Sequence, residues 1–315
     1  MPDSQKSARP HVFACIGECM VEFVETARDS GHYEQRFGGD TLNTAIYLAR
    51  VVANNGLVHY VTRLGHDSLS NSMLASWNSE NIDCCMVEQI SGKVPGLYMV
   101  QTDGRGERSF LYWRGEAPVR DMFRGNCEAL LERLSDIDTV YFSGITLAIL
   151  SEEGRTNLLS LVERRTKAGK ATAYDPNFRK ALWKDAGEAA TWNGRAIAYS
   201  ILVLPSVEDL QNIFDEQHDA NGWIGKLTAL GAKDIVLKNG GRNVFSLVGG
   251  VRKDFALGTV GLVLDTTGAG DSFNAGYMAE RALGGSVDRA VARGHTLATH
   301  VIQYPGAIMP ADAMP

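Results

Sequence analysis

The sequence predicts an α/β fold in which a mainly parallel sheet is covered by helices on both faces. Three observations carry that prediction. Short apolar runs alternate with stretches of helical spacing, at lengths suited to strand, crossover helix, strand units. One pair of alternating segments breaks the series and reads as a hairpin. The 315 residues, 44% apolar and 22% charged, are enough for a sizeable core.

Val12 to Gly17 is an apolar run that closes on glycine, and Met20 to Val24 is a second, interrupted by Glu22; both read as strands. Thr41 to Ala53 has helical spacing through Leu42, Ala45, Ile46 and Ala49. The alternation continues with strand Leu57 to Thr62, helix Ser68 to Asn81, strand Thr139 to Ser143, helix Glu152 to Ala168 and strand Ala171 to Tyr174. After Pro176 it resumes with strand Ile201 to Leu204, helix Trp223 to Leu230 and strand Asp234 to Leu237. Gly96 to Thr102 and Glu107 to Trp113 flank the turn-forming Asp103-Gly104-Arg105-Gly106, which makes them an antiparallel hairpin. Together with the strand near Met20 and a candidate strand at Met86 to Gln89, they make a small accessory sheet suited to act as a lid. No internal repeat and no long linker divides the chain, so residues 1–315 read as one domain, with lid strands at about 20–37 and 86–114.

A net charge of −6 speaks against a nucleic-acid binder, which needs a basic face for phosphates. The cysteines Cys15, Cys19, Cys84, Cys85 and Cys127 are odd in number, and their spacing suggests neither a disulfide framework nor a zinc site. The N-terminal residues lack a signal-peptide core, and no run approaches the roughly 18 apolar residues of a spanning helix. The expectation is a cytoplasmic protein with no membrane partner.

The most informative segment is Asp265-Thr266-Thr267-Gly268-Ala269-Gly270-Asp271-Ser272-Phe273-Asn274-Ala275-Gly276-Tyr277, after the apolar run Val260 to Leu264. The residues that follow, through Arg281 and Leu283, have helical composition, which puts Gly268 to Gly270 at a helix N-terminus. Small residues there let backbone N–H groups converge on an anion, and the helix dipole adds positive potential. Asp271, in the first turn, could accept a proton from a hydroxyl beside that cradle. A Gly-Ala-Gly-Asp tetrapeptide alone serves equally well as a plain helix cap.

Over its length this segment resembles the C-terminal signature of the PfkB/ribokinase-like carbohydrate kinases, D-T-x-G-A-G-D-x-F-x-A-G. It is not a Walker P-loop, since no Gly-Lys-Ser/Thr follows the glycines, and the Gly-rich turn of a dinucleotide fold is missing. The resemblance implies a ribokinase-like three-layer α/β/α sandwich with a small β-sheet lid, an ATP substrate with Mg²⁺, Asp271 as catalytic base, and Gly268, Ala269 and Gly270 as the phosphate cradle. Phe37-Gly38-Gly39-Asp40-Thr41-Leu42-Asn43 is by itself an ordinary helix start. Beside the signature it is similar to the family's sugar-binding glycine pair, which implies that Gly38, Gly39 and Asn43 contact substrate. Arg63-Leu64-Gly65-His66-Asp67 resembles a structural V-G-x-D element.

Within the family, Gly96-Leu97-Tyr98, Tyr112-Trp113-Arg114, Ser143-Gly144-Ile145 and Asp175-Pro176-Asn177-Phe178-Arg179 resemble the branch that acts on 2-keto-3-deoxygluconate. That implies a sugar acid phosphorylated at its terminal hydroxyl. Arg114 and Arg179 suit bidentate recognition of a carboxylate or phosphate, which a neutral sugar would not require. Tyr98, Tyr112 and Ile145 would complete the substrate pocket, although an aromatic on a strand is as readily a packing residue and Arg114 as readily an exposed hairpin charge. On the nucleotide side, Lys238-Asn239-Gly240-Gly241 resembles the family's K-x-G element, with Asn177 close by. Asn239-Gly240-Gly241 also suits a tight turn between Ile235 and Val244. Where the family shows N-x-x-E, this chain has Ser206 and Asp209, so no metal ligand is assigned. His295 and His300 read as surface or packing residues. The other readings are a kinase for 2-keto-3-deoxygalactonate, fructose or ribose, and a non-catalytic sugar or nucleotide sensor. An accessory sheet with exposed edges often pairs with its own copy, so a homo-oligomer, dimer or higher, is expected.

Overall fold

The structure, a computed structural model, describes residues 9–26, 30–102, 108–258 and 261–315. Strands β1 (His11–Ile16), β2 (Met20–Glu25) and β3 (Tyr33–Gly38) lead to helix α1 (Asp40–Val52). Next come β4 (Gly56–Gly65), α2 (Ser68–Ser79), β5 (Ile82–Asp83), β6 (Val87–Ile90), β7 (Leu97–Thr102) and β8 (Arg108–Trp113). From α3 (Glu128–Asp136) the chain alternates through β9 (Thr139–Ser143), α4 (Gly144–Ile149), α5 (Glu152–Lys167), β10 (Ala171–Asp175), α6 (Ala186–Tyr199), β11 (Leu202–Val203), α7 (Val207–Phe214), α8 (Ala220–Leu230) and β12 (Asp234–Asn239). It closes with β13 (Asn243–Val248), β14 (Val251–Ala256), α9 (Ala269–Ala282) and α10 (Val287–Val301).

The large sheet runs in the order β14-β13-β12-β11-β10-β9-β1-β4-β5, and it is parallel from β12 to β5. The period-two alternation of each strand divides the core between its two faces. Ala14, Ile16, Val140, Phe142, Ile235 and Leu237 pack on one side with Leu158, Trp192, Ala196 and Trp223. Phe13, Cys15, Tyr141 and Val236 pack on the other with Leu42, Ala45, Phe273 and Leu297. Strands buried on both faces in this way read as continuous apolar runs, which is how they look in the sequence.

The second sheet is small, with order β3-β2-β7-β8, and β7 and β8 pair antiparallel from Leu97↔Trp113 to Thr102↔Arg108. The turn expected at Asp103 to Gly106 lies outside the described residues, as do Glu107 and Val260. Two expectations need correction. The candidate strand at Met86 to Gln89 forms β6, but β6 pairs parallel with β4 in the large sheet, so it is no part of the lid. Its register continues that of β5, and the short Cys84–Cys85 step keeps the chain on the same edge. Leu262, Val263 and Leu264, the described part of the apolar run before the signature, are exposed and irregular rather than buried.

Because the strands from β12 to β4 all run the same way, their C-terminal ends share one edge of the sheet. From β1 the chain proceeds to β4 on one side, and from β9 it continues through β10 and β11 on the other. The crevice outside the strand ends at such a reversal is where open α/β sheets bind ligands. Gly17, Glu18, Ser143, Asp175, Ser206 and Lys238 all lie at or just beyond these ends.

Candidate active site

Asp271 occupies the first turn of α9, behind Gly268, whose φ of 78° is left-handed. A Cβ on Gly268 would also lie 2.5 Å from the carbonyl oxygen of Ala307, so glycine is required there twice over. Ala269 donates its N–H to Thr266 at 3.3 Å, within the turn itself. This narrows the expected cradle of Gly268, Ala269 and Gly270: the N–H groups left without an intrahelical acceptor at this helix start are those of Gly270 and Asp271. The ammonium of Lys238 adds charge beside them, lying 3.8 Å from where a Gly270 Cβ would be.

The Asp271 carboxyl is 8% exposed and accepts a hydrogen bond of 2.8 Å from the Asn43 amide on α1. Burial, reinforced by the charge of Asp40, pushes its pKa up to about 8, although the Asn43 donor and Lys238 oppose the shift. A carboxylate poised near neutrality can take a proton from an alcohol, which one at its ordinary value does poorly.

A polar network ties the cradle to the strand ends. Lys238 Nζ lies 2.8 Å from Asp175 Oδ2 and 3.0 Å from Asn274 Oδ1, and Asn274 donates to Asp175 at 2.5 Å. Asn177 donates its backbone N–H to Asp175 at 3.1 Å and its amide to Asp40 at 2.8 Å, with a φ of 32° that asparagine tolerates better than most residues. Asp209 accepts the Phe178 N–H at 2.8 Å and the Ser206 hydroxyl at 2.6 Å. Its pKa is raised by burial and then by the charge of Asp175. Held by two neutral donors, the Asp209 carboxylate would offer a hard oxygen to magnesium through water.

On the lid side, Gly39 lies so close to the Glu18 backbone that a Cβ would stand 2.2 Å from that carbonyl oxygen, and Gly38 ends β3 beside the Tyr98 hydroxyl. Tyr98 donates to Glu22 at 2.9 Å and stacks on Tyr112 with ring centroids 5.6 Å apart. Ile145, partly buried, sits at the start of α4, where Ser143 and Thr146 form a capping box. Arg114 is not the free hairpin charge considered for it: it forms an ion pair with the buried Glu18 and lies over the Tyr112 ring. Arg179 is exposed and donates to the Phe178 carbonyl, and its charge is felt by Asp40. Gly240 and Gly241 make the β12–β13 turn, with φ of 53° and 75°, and are exposed. They form the tight turn that the sequence suggests between Ile235 and Val244.

Glu18, Asp175 and Asn274 received no role from the sequence. A carboxylate directly after an apolar strand, as in Ile16-Gly17-Glu18 and Tyr174-Asp175, was the available signal, because buried strand ends rarely carry an acid without a partner. Asn274 lies inside the signature, one turn beyond Gly270 on α9.

A helix-start anion cradle with a lysine beside it, a buried carboxyl of raised pKa facing the same crevice, and a small sheet above define a small-molecule kinase on an α/β/α sandwich. Comparison with known proteins gives the family. The pfkB family carbohydrate kinase model matches residues 11–314, and the chain belongs to that family. It is an ATP-dependent sugar kinase. The chain is 40% identical over 307 residues to the 2-dehydro-3-deoxygluconokinase of Escherichia coli K12, covering 96% of this chain and 98% of that one. It is 37% identical over 308 residues to the enzyme of the same name from Dickeya dadantii, covering 96% and 98%. In fold it resembles a PfkB protein from Polaromonas sp. JS666, with a TM-score of 0.82 and 24% identity over 93% of this chain and 96% of that one.

Proposed function

We propose that the protein phosphorylates the terminal hydroxyl of 2-keto-3-deoxy-D-gluconate to give the 6-phosphate, with Asp271 as general base. The observation that carries the reading is the Asp271 carboxyl itself, buried and raised to about 8 behind the Gly-Ala-Gly turn. Relatives of 34% to 40% identity named 2-dehydro-3-deoxygluconokinase support the substrate. In the reaction, Asp271 takes the hydroxyl proton and the oxygen attacks the γ-phosphorus. The bond to the β-phosphate oxygen breaks, and ADP leaves. The N–H groups of Gly270 and Asp271, with Lys238, stabilise charge on the transferring group. Asp209 would hold magnesium through water, and the ion would supply neutralisation of phosphate charge. Arg179 assists from the mouth of the crevice, while Arg114, Tyr98, Tyr112 and Ile145 receive the sugar acid with Gly38, Gly39 and Asn43.

The substrate is tested by ADP release on 2-keto-3-deoxygluconate, its galactonate epimer, fructose and ribose. We expect kcat/KM on the keto-deoxy acids to exceed that on the neutral sugars by at least about 10², the discrimination available when buried charged groups lose their partner. Comparable values on fructose would reassign the substrate, and no turnover on any of them would favour a sensor.

The pH dependence has a fixed sign. Protonated Asp271 cannot accept the hydroxyl proton, so kcat/KM is expected to rise with pH and to level off above about 8. Asn43→Ala removes a donor that favours the charged form, which moves that profile to higher pH. A flat profile from pH 6 to 9 in the wild type would remove Asp271 from the role.

A homo-oligomer is part of the proposal. The outer strand β8 exposes Phe110, Leu111, Tyr112 and Trp113, at 45% to 56% exposure, along an edge with unpaired backbone groups. Light scattering is expected to give at least twice the chain mass of 34.2 kDa, and a monomer at micromolar concentration would refute it.

A further inference from the structure

At the free edge of the large sheet, away from the strand ends that carry the kinase site, three ligand-type side chains converge. His59 on β4 and Asp83 on β5 are register partners, and Cys85 lies two residues further along. The His59 Nδ1 is 3.5 Å from Cys85 Sγ and 3.4 Å from Asp83 Oδ1, and all three ligand atoms lie within 4.8 Å of one another. A tetrahedral zinc ion with Zn–S of about 2.3 Å and Zn–N and Zn–O of about 2.0–2.1 Å has S···N and N···O edges of about 3.5 Å and 3.4 Å. The His59–Cys85 and His59–Asp83 pairs already stand at those separations. We propose that His59, Asp83 and Cys85 form a three-ligand site for a zinc-type divalent cation, with its fourth position open to water.

The surroundings fit that assignment. His59 is 8% exposed, so its ring is held in place by packing, whereas Cys85 is exposed and leaves an approach from solvent. The Cys85 N–H donates to Asp83 Oδ1 at 2.7 Å, which fixes the carboxylate toward the thiol. Arg133 donates to the Cys85 carbonyl and, at 3.1 Å, to its sulfur. That donor works against burial and the Asp83 carboxylate, which together push the Cys85 thiol up, and it plays the part that outer hydrogen bonds play around bound metals. Coordination breaks the S–H bond and releases its proton to the buffer. The thiolate and the Asp83 carboxylate then match the charge of the ion. A nitrogen, oxygen and sulfur set suits zinc or cobalt(II) and not magnesium, which separates this site from the oxygen ligands of the kinase centre. Cysteine spacing alone gave no zinc pattern because the ligands come from β4, from β5 and from the turn after β5.

The test is a cobalt(II) titration of the metal-free full-length protein. We expect a thiolate-to-cobalt charge-transfer band that saturates at one equivalent and is displaced by zinc. Cys85→Ser should abolish the band and weaken zinc binding at least about tenfold, with kcat on the sugar substrate unchanged; Cys84→Ser should leave the band intact. A wild-type protein without the band, or a band that survives Cys85→Ser, would overturn the proposal.

Discussion

Asp271→Asn is expected to lower kcat by about 10²–10⁴ with little change in KM, the usual effect of losing a general base. The substitution is nearly isosteric and keeps the first-turn N–H groups, so the proposed phosphate cradle survives and the loss isolates proton transfer. The Asn43 amide, which donates to Asp271 at 2.8 Å, can still meet the side-chain oxygen of the new asparagine. Removing a buried carboxyl whose pKa is raised also relieves the folded state at neutral pH. The raised value means that the folded state binds the proton more tightly than the unfolded chain does. Its contribution to stability is therefore full below the ordinary carboxylate range and is lost as pH rises toward about 8. The variant should accordingly be no less stable than wild type at pH 8 while turning over far more slowly. Steady-state kinetics together with urea unfolding separates the two effects, and near-normal kcat would assign the proton to another group.

Arg114→Ala is expected to cost about 3–5 kcal/mol of stability, because it leaves the Glu18 carboxylate buried without its counter-charge. Glu18 is 3% exposed, and its pKa is raised by burial against the pull of Arg114. Without the guanidinium the acid must take up a proton to stay inside, so the deficit should shrink as pH falls. Loss of activity in this variant would therefore not by itself mean loss of substrate recognition. The double variant Glu18→Gln with Arg114→Met removes both charges, and it should recover most of the stability while remaining impaired on the sugar acid. Urea midpoints of wild type, Glu18→Gln, Arg114→Met and this double variant give the coupling. If Arg114→Ala unfolded at the wild-type midpoint, the ion pair would have no structural weight.

The strand and helix series was legible because burial on both faces imposes continuous apolar runs such as Val12 to Ile16 and Thr139 to Phe142. The same logic missed α6, where Trp192, Ala196 and Ile197 carry the buried face, because the small and polar residues between them blur the helical stripe. The lid strands were legible from alternation, but β6 was misplaced, since an apolar run does not say which sheet edge will accept it.

For the site, local sequence was enough wherever one helix start carries the chemistry: Gly268 to Asp271 needs a left-handed turn, small residues and an acid in consecutive positions, and that requirement is written in order along the chain. By itself the sequence therefore determined the fold class and singled out the candidate phosphate cradle and the candidate base. Tertiary structure alone decided that Arg114 is bound to Glu18, that Lys238, Asp175 and Asn274 form one network, and that burial beside Asp40 lifts the Asp271 pKa. Those properties depend on charges and solvent exclusion brought together from distant segments, and electrostatic energies are set by distance and burial rather than by position in the chain.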